Sequence, residues 1–264
     1  MITNFSLKGN PMDTTAFQGA VAGLGADTAS LWAVLSVESR GFGFLVDRRP
    51  KILFERHVFH KRTGGQFSTS HPDISNPQPG GYGPDGAAQY LRLAQAMQLN
   101  YQAALESASW GLAQIMGYNA SSIGYSGVEE MVNAMIAGED GQIDAMTRFV
   151  RSNHALQQAL SDHKWATVAF YYNGKNYADQ GYDKKLAHYY DLFTTEPATQ
   201  PDLTMRTAQA CLNYVGLDTR GVDGVSGPAT QASILAYRRK NNLAPFTATL
   251  DDALMQSLRV SAGI

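Results

Sequence analysis

A carboxylate placed in an apolar helical stripe is the feature that most restricts how this chain folds. Leu31, Val34 and Leu35 recur at helical spacing, and the next position of their stripe is occupied by Glu38. Because Gly41 follows closely and favours a helix end, the sequence predicts a helix whose last turn carries Glu38. Burial disfavours the charged form of a carboxyl group, so we expect Glu38 to have the raised pKa that a general acid requires.

A second carboxylate follows in segment 50–57, which we interpret as a short strand entered through a proline. Glu55 is flanked there by Lys51, Arg56 and His57, whose positive charges favour the ionised carboxylate. Two carboxylates whose surroundings push their pKa values apart are what glycoside hydrolysis needs. A glutamate at a helix end or on an edge strand is also commonly a solvated or ion-paired residue, so spacing alone leaves both interpretations open.

Composition narrows the class of protein. At 264 residues with 44% hydrophobic content, the chain can form one large domain or one medium and one small domain. A net charge of -2 gives no overall reason to expect binding to nucleic acid or to an anionic membrane. The single cysteine, Cys211, excludes an internal disulfide framework. No window approaches the roughly 18 consecutive apolar residues of a transmembrane helix, and no leader-like segment is apparent.

Candidate binding groups occur in two later runs. Segment 109–116 holds Ser109 and Gln114, which are either polar groups at a buried helix start or ligand-binding groups. Segment 171–174 reads as a turn with two aromatic rings and an amide, which suits sugar stacking, although aromatic residues are more often core residues.

Metal binding is not predicted. His57 and His60 lie three residues apart, but no third and fourth ligand stands at zinc-site spacing. The sequence also indicates no cofactor.

The remaining pattern is predominantly helical. Residues 61–85 are rich in Gly, Pro, Ser and Thr and are predicted to form a substrate-facing loop. Asp85 is predicted to cap one helix that runs to about Leu105. Segment 194–201 has linker composition, and a unit of three short helices follows it.

Four segments, in order, carry a family resemblance: 35–44 with Glu38-Ser39-Arg40-Gly41, 49–57 with Phe54-Glu55-Arg56-His57, 109–119 with Gly111-Leu112-Ala113-Gln114-Ile115, and 172–174 with Tyr172-Asn173-Gly174. Over roughly residues 14–193 the chain resembles the N-acetylmuramidase family of bacteriophage endolysins. Residues 202–260, with Gly221-Val222-Asp223-Gly224 and Gly227-Pro228, resemble a small peptidoglycan-binding domain.

The resemblance implies a mainly α fold. Residues 1–193 would form a lysozyme-like α+β catalytic domain with a small β element, 194–201 a linker, and 202–264 a three-helix peptidoglycan-binding domain. The implied reaction is hydrolysis of the β-1,4 bond between N-acetylmuramic acid and N-acetylglucosamine, with Glu38 as general acid and Glu55 activating water or stabilising the oxocarbenium-like centre. The candidate substrate-binding residues are Ser109, Gln114, Tyr172, Asn173 and Tyr177.

The expected partner is bacterial peptidoglycan, without nucleic acid or stable membrane insertion. The protein is expected to be a monomer, made in the host cytoplasm without a signal peptide and released to the wall by another factor. Two other interpretations stay open: a lytic transglycosylase that acts on the same bond, and a non-catalytic wall-binding or virion structural protein in which both glutamates are structural.

The linker pattern generates one prediction. An eight-residue, proline-containing spacer reaches at most about 25 Å, which keeps two independent modules on neighbouring glycan. Truncation after Phe193 is therefore expected to weaken sedimentation with purified cell walls and to leave cleavage of short soluble glycans nearly unchanged. Proportional loss of activity on the soluble glycans would contradict this two-module interpretation.

Overall fold

The computed structural model describes residues 1–39, 41–175 and 177–264 and is mainly helical, which confirms the predicted fold class. Arg40, which belongs to the first family motif, and Asn176 lie outside these ranges. The helices of the larger unit are α1 (Thr14–Leu24), α2 (Thr28–Ser39), α3 (Arg56–Arg62), α4 (Ala88–Leu99), α5 (Tyr101–Glu106), α6 (Val128–Ala137), α7 (Glu139–Arg151), α8 (His154–Ser161), α9 (Trp165–Asn173) and α10 (Tyr182–Thr195). The smaller unit contains α11 (Leu203–Tyr214), α12 (Pro228–Lys240) and α13 (Asp252–Ala262).

Helix α2 is the central helix of the larger unit. Its residues from Ala29 to Leu35 are all buried, and α10 packs against it. At its end Gly41 takes a left-handed conformation with φ +84°, and its N–H donates to the Leu35 carbonyl at 3.3 Å. The prediction that Gly41 ends this helix is confirmed, and Glu38 therefore lies in the last turn.

One small antiparallel sheet lies beside this helical core, in the order β1 (Ile52–Phe54), β2 (Ala108–Trp110), β3 (Ile115–Met116). The predicted strand over 50–57 is shorter than expected. It ends at Phe54, and Glu55 becomes the N-cap residue of α3, which was not predicted.

The run 109–116 forms a β-hairpin, so the helix-start interpretation is wrong. Its turn contains Gly111 at φ +71° and Gln114 at φ +50°, conformations that an α-helix does not contain. A side chain at Gly111 would meet Gln142 from α7 at 2.7 Å, so the turn needs glycine because another helix approaches it closely.

The helix predicted from Asp85 to Leu105 is interrupted. Asn100 takes an extended conformation, and its side chain accepts a hydrogen bond from Ala103 N at 2.9 Å, so α4 ends and α5 begins there. Asparagine competes with the helical backbone for hydrogen bonds, which explains the break. Asp85 does not cap α4, because Ala87 occupies the N-cap position.

The segment predicted as a spacer is folded onto the larger unit. Helix α10 continues through Thr195, and a 3-10 turn, Pro197–Thr199, follows it. The Gln200 side chain donates to the Phe193 carbonyl at 2.7 Å, and the Thr199 hydroxyl donates to the Leu192 carbonyl at 3.3 Å. These bonds hold the segment against α10, so it does not act as an extended tether.

Within the described residues, no single helix is long and apolar enough to cross a membrane. The helices Thr14–Leu24 and Thr28–Ser39 would together be long and apolar enough, but the chain bends by 106° between them.

Cys211 provides a probe of the smaller unit. Its side chain is fully buried in the core that α11 forms with α12 and α13, and burial raises the pKa of the thiol to about 11. The thiol is therefore expected to resist a disulfide reagent at pH 8 in the native protein and to react stoichiometrically in denaturant. Rapid labelling of the native protein would contradict the burial of this side chain.

Candidate active site

A groove of about 680 Å³ lies between the end of α2, the small sheet and the end of α9. Six of the seven predicted site residues line it together: Glu38, Glu55, Ser109, Gln114, Tyr172 and Asn173. Tyr177 is not among the described residues that line the groove. It lies on a 3-10 helix, Tyr177–Gln180, and packs at the edge of the core.

Glu38 faces this groove from the last turn of α2, with its side chain only partly exposed. Burial raises the pKa of its carboxyl group to about 8. The group therefore keeps its proton through neutral pH, as the sequence predicted from its place in the apolar stripe.

Tyr172 is close enough to Glu38 for the two groups to interact electrostatically. Burial, followed by the charge of Glu38, raises the pKa of the tyrosine hydroxyl. This hydroxyl donates to the Ala113 carbonyl at 3.2 Å, and the ring packs edge-on against Phe149 with centroids 5.6 Å apart. Tyr172 thus joins α9 to the β2–β3 hairpin beside the acid.

Glu55 reaches the groove from the junction between β1 and α3. Its side chain is 16% exposed, its Oε2 lies 3.0 Å from Nδ1 of His57, and its Oε1 accepts a hydrogen bond from the Tyr82 hydroxyl at 3.2 Å. Two of the three basic residues that flank it in sequence donate hydrogen bonds to backbone carbonyls. Lys51 donates to the carbonyl of Ser39, and Arg56 donates to that of Gln78.

Ser109 and Gln114 form one wall of the groove through bonds to each other and to the backbone. The Ser109 hydroxyl donates to Gln114 Oε1 at 2.8 Å, and Gln114 Nε2 donates to the Gly111 carbonyl at 2.8 Å and to the Lys51 carbonyl at 3.3 Å. These bonds fix the amide orientation and hold β1 to the hairpin.

The loop predicted to face substrate touches the site through one residue, Tyr82. None of the described residues from 63 to 85 lines the groove itself. The end of the loop is anchored by the buried Gln89, whose Nε2 donates to the carbonyls of Tyr82 and Pro84 while its Oε1 accepts from Phe54 N. The loop thereby holds the Tyr82 hydroxyl against Glu55.

Sequence reasoning missed two groove residues with sugar-binding chemistry, Tyr118 and Asn119, whereas Tyr171, from the segment expected to stack on sugars, does line the groove. Tyr118 and Tyr171 are 44% and 39% exposed. Tyr118 and Asn119 repeat the tyrosine–asparagine pair of residues 172 and 173, and this repetition was the available signal.

The two histidines considered as metal ligands have other contacts. His57 faces Glu55, and Nδ1 of His60 lies 2.7 Å from the Ser68 hydroxyl. No group of three His, Cys, Asp or Glu side chains suited to a metal ion occurs in the described ranges.

A protonated glutamic acid at a helix end, a second carboxylate in the same groove, and a helical fold with a small sheet define a glycoside hydrolase of the lysozyme type. Residues 27–194 match the N-acetylmuramidase family model, and the chain belongs to that family. It is therefore a peptidoglycan-hydrolysing enzyme, which excludes the non-catalytic interpretation.

A solved structure supports the same assignment. The crystal structure of Burkholderia AP3 phage endolysin is 40% identical to this chain with a TM-score of 0.65, and the match covers 70% of this chain and 73% of that one. The comparison with curated proteins gives no match.

The raised pKa of Glu38 predicts a pH-dependent stability difference. The folded carboxyl keeps its proton up to about pH 8, whereas the unfolded one loses it near 4.5. Folding is therefore weakened as pH rises from about 4.5 to 8, by at most a few kcal/mol. Glu38→Gln removes this penalty, so its melting temperature relative to the parent protein should rise between pH 5 and pH 8. A pH-independent difference in calorimetry would contradict the assignment.

Proposed function

We propose that this muramidase is a phage endolysin that cleaves the β-1,4 bond between N-acetylmuramic acid and N-acetylglucosamine, with Glu38 as the general acid. The observation that carries the proposal is the Glu38 carboxyl, protonated at neutral pH and facing a groove with a second carboxylate. The similarity to a phage endolysin structure supports the biological setting.

In this mechanism Glu38 gives its proton to the glycosidic oxygen as the bond to the anomeric carbon breaks. The leaving sugar departs as an alcohol, positive charge develops on the remaining ring, and water supplies the new hydroxyl group. Glu55 either takes the proton of that water or stabilises the developing charge. The contacts from Tyr82 and His57 hold its two oxygens in place for both roles.

The groove walls supply sugar-binding chemistry. The exposed rings of Tyr118 and Tyr171 offer stacking faces, and the exposed Asn173 offers an amide for the N-acetyl groups or hydroxyls of the glycan. Ser109, Gln114 and Tyr172 shape the wall between these faces and Glu38. We assign Tyr177 no direct contact with substrate, because it lies outside the described lining.

For the smaller unit we propose peptidoglycan binding, on the basis of its three-helix fold and its glycine-rich loop motif. The enzyme acts as a monomer. It is made in the host cytoplasm and reaches the wall when another factor opens the membrane.

Product analysis tests the bond and the reaction type together. Purified peptidoglycan is digested, reduced with borohydride and analysed by mass spectrometry. Muraminitol ends with one added water identify muramidase hydrolysis, whereas glucosaminitol ends place the cut at the other bond. Anhydro-muramoyl ends, one water lighter, would replace the hydrolase by a transglycosylase and overturn the proposal.

Glu38→Gln is expected to lower turnover of peptidoglycan at least 100-fold, because general acid catalysis contributes about 10²–10⁴-fold. In the parent protein, kcat/KM should fall at alkaline pH because Glu38 loses its proton near pH 8.

The matched control for the variant is Glu196→Gln, which changes an exposed glutamate outside the groove and should retain parental turnover. Near-normal activity of a folded Glu38→Gln variant would remove Glu38 from the mechanism.

A further inference from the structure

The smaller unit is joined to the larger one through a buried ion pair. Arg206 of α11 and Glu139 of α7 are both 0% exposed, with N–O distances of 2.5 and 2.6 Å between the guanidinium and the two carboxylate oxygens. Nε of Arg206 donates to the carbonyl of Gly41 at 2.7 Å. One side chain of the smaller unit thus binds Gly41, the residue that ends α2.

The Glu139 carboxylate continues this network into the segment between α2 and β1. Its Oε1 accepts from Gly43 N at 2.8 Å, and its Oε2 accepts from Met12 N at 3.0 Å. The Arg206 guanidinium also lies over the Phe42 ring, 5.3 Å from its centroid. Segment 41–43, which begins three residues after Glu38, is consequently held on both sides by one ion pair.

The same face of α7 also binds the β2–β3 hairpin, which lines the groove. One turn after Glu139, the buried Gln142 accepts from Leu112 N at 2.7 Å, next to the hairpin turn that carries Gln114. A side chain at Gly43 would meet Gln142 Oε1 at 1.8 Å and Leu112 N at 2.8 Å, so the two segments are packed without free space. Segment 41–43 therefore packs directly against the hairpin turn, and it follows Glu38 closely in the chain.

We propose that Arg206 is a positioning residue for catalysis: the smaller unit, through this arginine, fixes the segment after Glu38 and so sets the place of the acid in the groove. This inference rests on Glu38 being the general acid proposed above. It assigns the smaller unit a role in turnover of soluble substrate, in addition to wall binding. It also reverses the expectation, drawn from linker composition, that the two units act independently.

Full-length variants with a matched control test the proposal. Arg206→Lys keeps the positive charge but cannot bind both Glu139 oxygens and the Gly41 carbonyl at once. The control is Arg238→Lys, since Arg238 is also 0% exposed in the smaller unit but binds Asp251 and the Thr249 carbonyl of that unit. A second control, Tyr214→Phe, removes a 2.8 Å bond between the units, to the Gly9 carbonyl, and keeps the ring that packs against Phe42.

Kinetics on short soluble glycan fragments, at a temperature where circular dichroism shows each variant folded, give the first result. Arg206→Lys is expected to lower kcat at least tenfold with KM within twofold, while both controls keep kcat within twofold of the parent protein. Parental kcat in a folded Arg206→Lys variant, or equal losses in all three variants, would overturn the proposal.

A spectroscopic measurement is independent of the assigned chemistry. In protein labelled with ¹³C at glutamate carboxyl groups, the Glu38 resonance is identified by its loss in Glu38→Gln. The resonance should shift in Arg206→Lys and remain in place in both controls. An unchanged resonance contradicts the positioning role even when the enzyme is active, whereas an active Glu38→Gln variant contradicts the proposed acid instead.

A variant in the larger unit tests the same network if Arg206→Lys does not fold. Glu139→Asp keeps the charge pair, but its shorter side chain withdraws the carboxylate from Gly43. It is expected to reproduce the kcat loss and the shifted resonance. Parental values of both would overturn the proposal.

Discussion

Two opposite charges buried together form the contact on which the rest of this structure depends. An isolated ion in a protein interior is unfavourable by several kcal/mol, and the penalty is offset only when its hydrogen-bonding groups are well satisfied. Glu139 accepts from two of the three guanidinium nitrogens and from the amides of Met12 and Gly43, and the third nitrogen of Arg206 donates to the Gly41 carbonyl. Removing one partner of such a pair typically destabilises a protein by about 3–5 kcal/mol. Four parts of the chain therefore meet at this ion pair: the N-terminal segment, the end of α2, α7 and α11.

Burial has a different effect on Glu38, because there it raises the pKa of the carboxyl group. Glu139 is surrounded by donors, whereas the shift in the pKa of Glu38 comes from burial. The same type of side chain thus serves as a structural carboxylate at one position and as the proposed proton donor at another. The difference arises from the surrounding atoms, because burial that hydrogen-bond donors do not offset favours the protonated form of a carboxyl group. Segment 41–43 connects the two glutamates, because Gly43 N donates to Glu139 and Glu38 lies three residues before Gly41. In the proposal above, Glu139 thereby supports the placement of Glu38.

Local sequence patterns predicted much of this fold. Periodicity and Gly41 gave α2 with Glu38 in its last turn, and the three C-terminal helices follow their apolar spacing. The failures occur where tertiary contacts decide the conformation. The hairpin at 108–116 depends on the close approach of Gln142, and the shortened strand before Glu55 depends on α3. Both features require knowledge of residues far away in the chain.

The candidate site was predictable to a similar degree. Six of its residues were chosen from motif and composition, yet Tyr177 lies outside the described groove lining and Tyr118 lies within it. The union of the two units was not predictable, since Arg206 and Glu139 are 67 positions apart and each reads as an ordinary charge near a helix start. Hydrophobic periodicity does not reveal a pair of charges that is buried only when two units meet.

The folded segment 194–201 and the buried ion pair together restrict which C-terminal modules can replace the smaller unit. A wall-binding module on a loose tether can be replaced by recombination or by design without regard to the residues of its new neighbour. Here an incoming module that lacks an arginine in the first turns of its first helix would leave Glu139 charged, buried and without its cation. A module grafted onto this catalytic unit must therefore carry an arginine at the position of Arg206, and because α11 shares one core with α12 and α13, the three helices must be exchanged together.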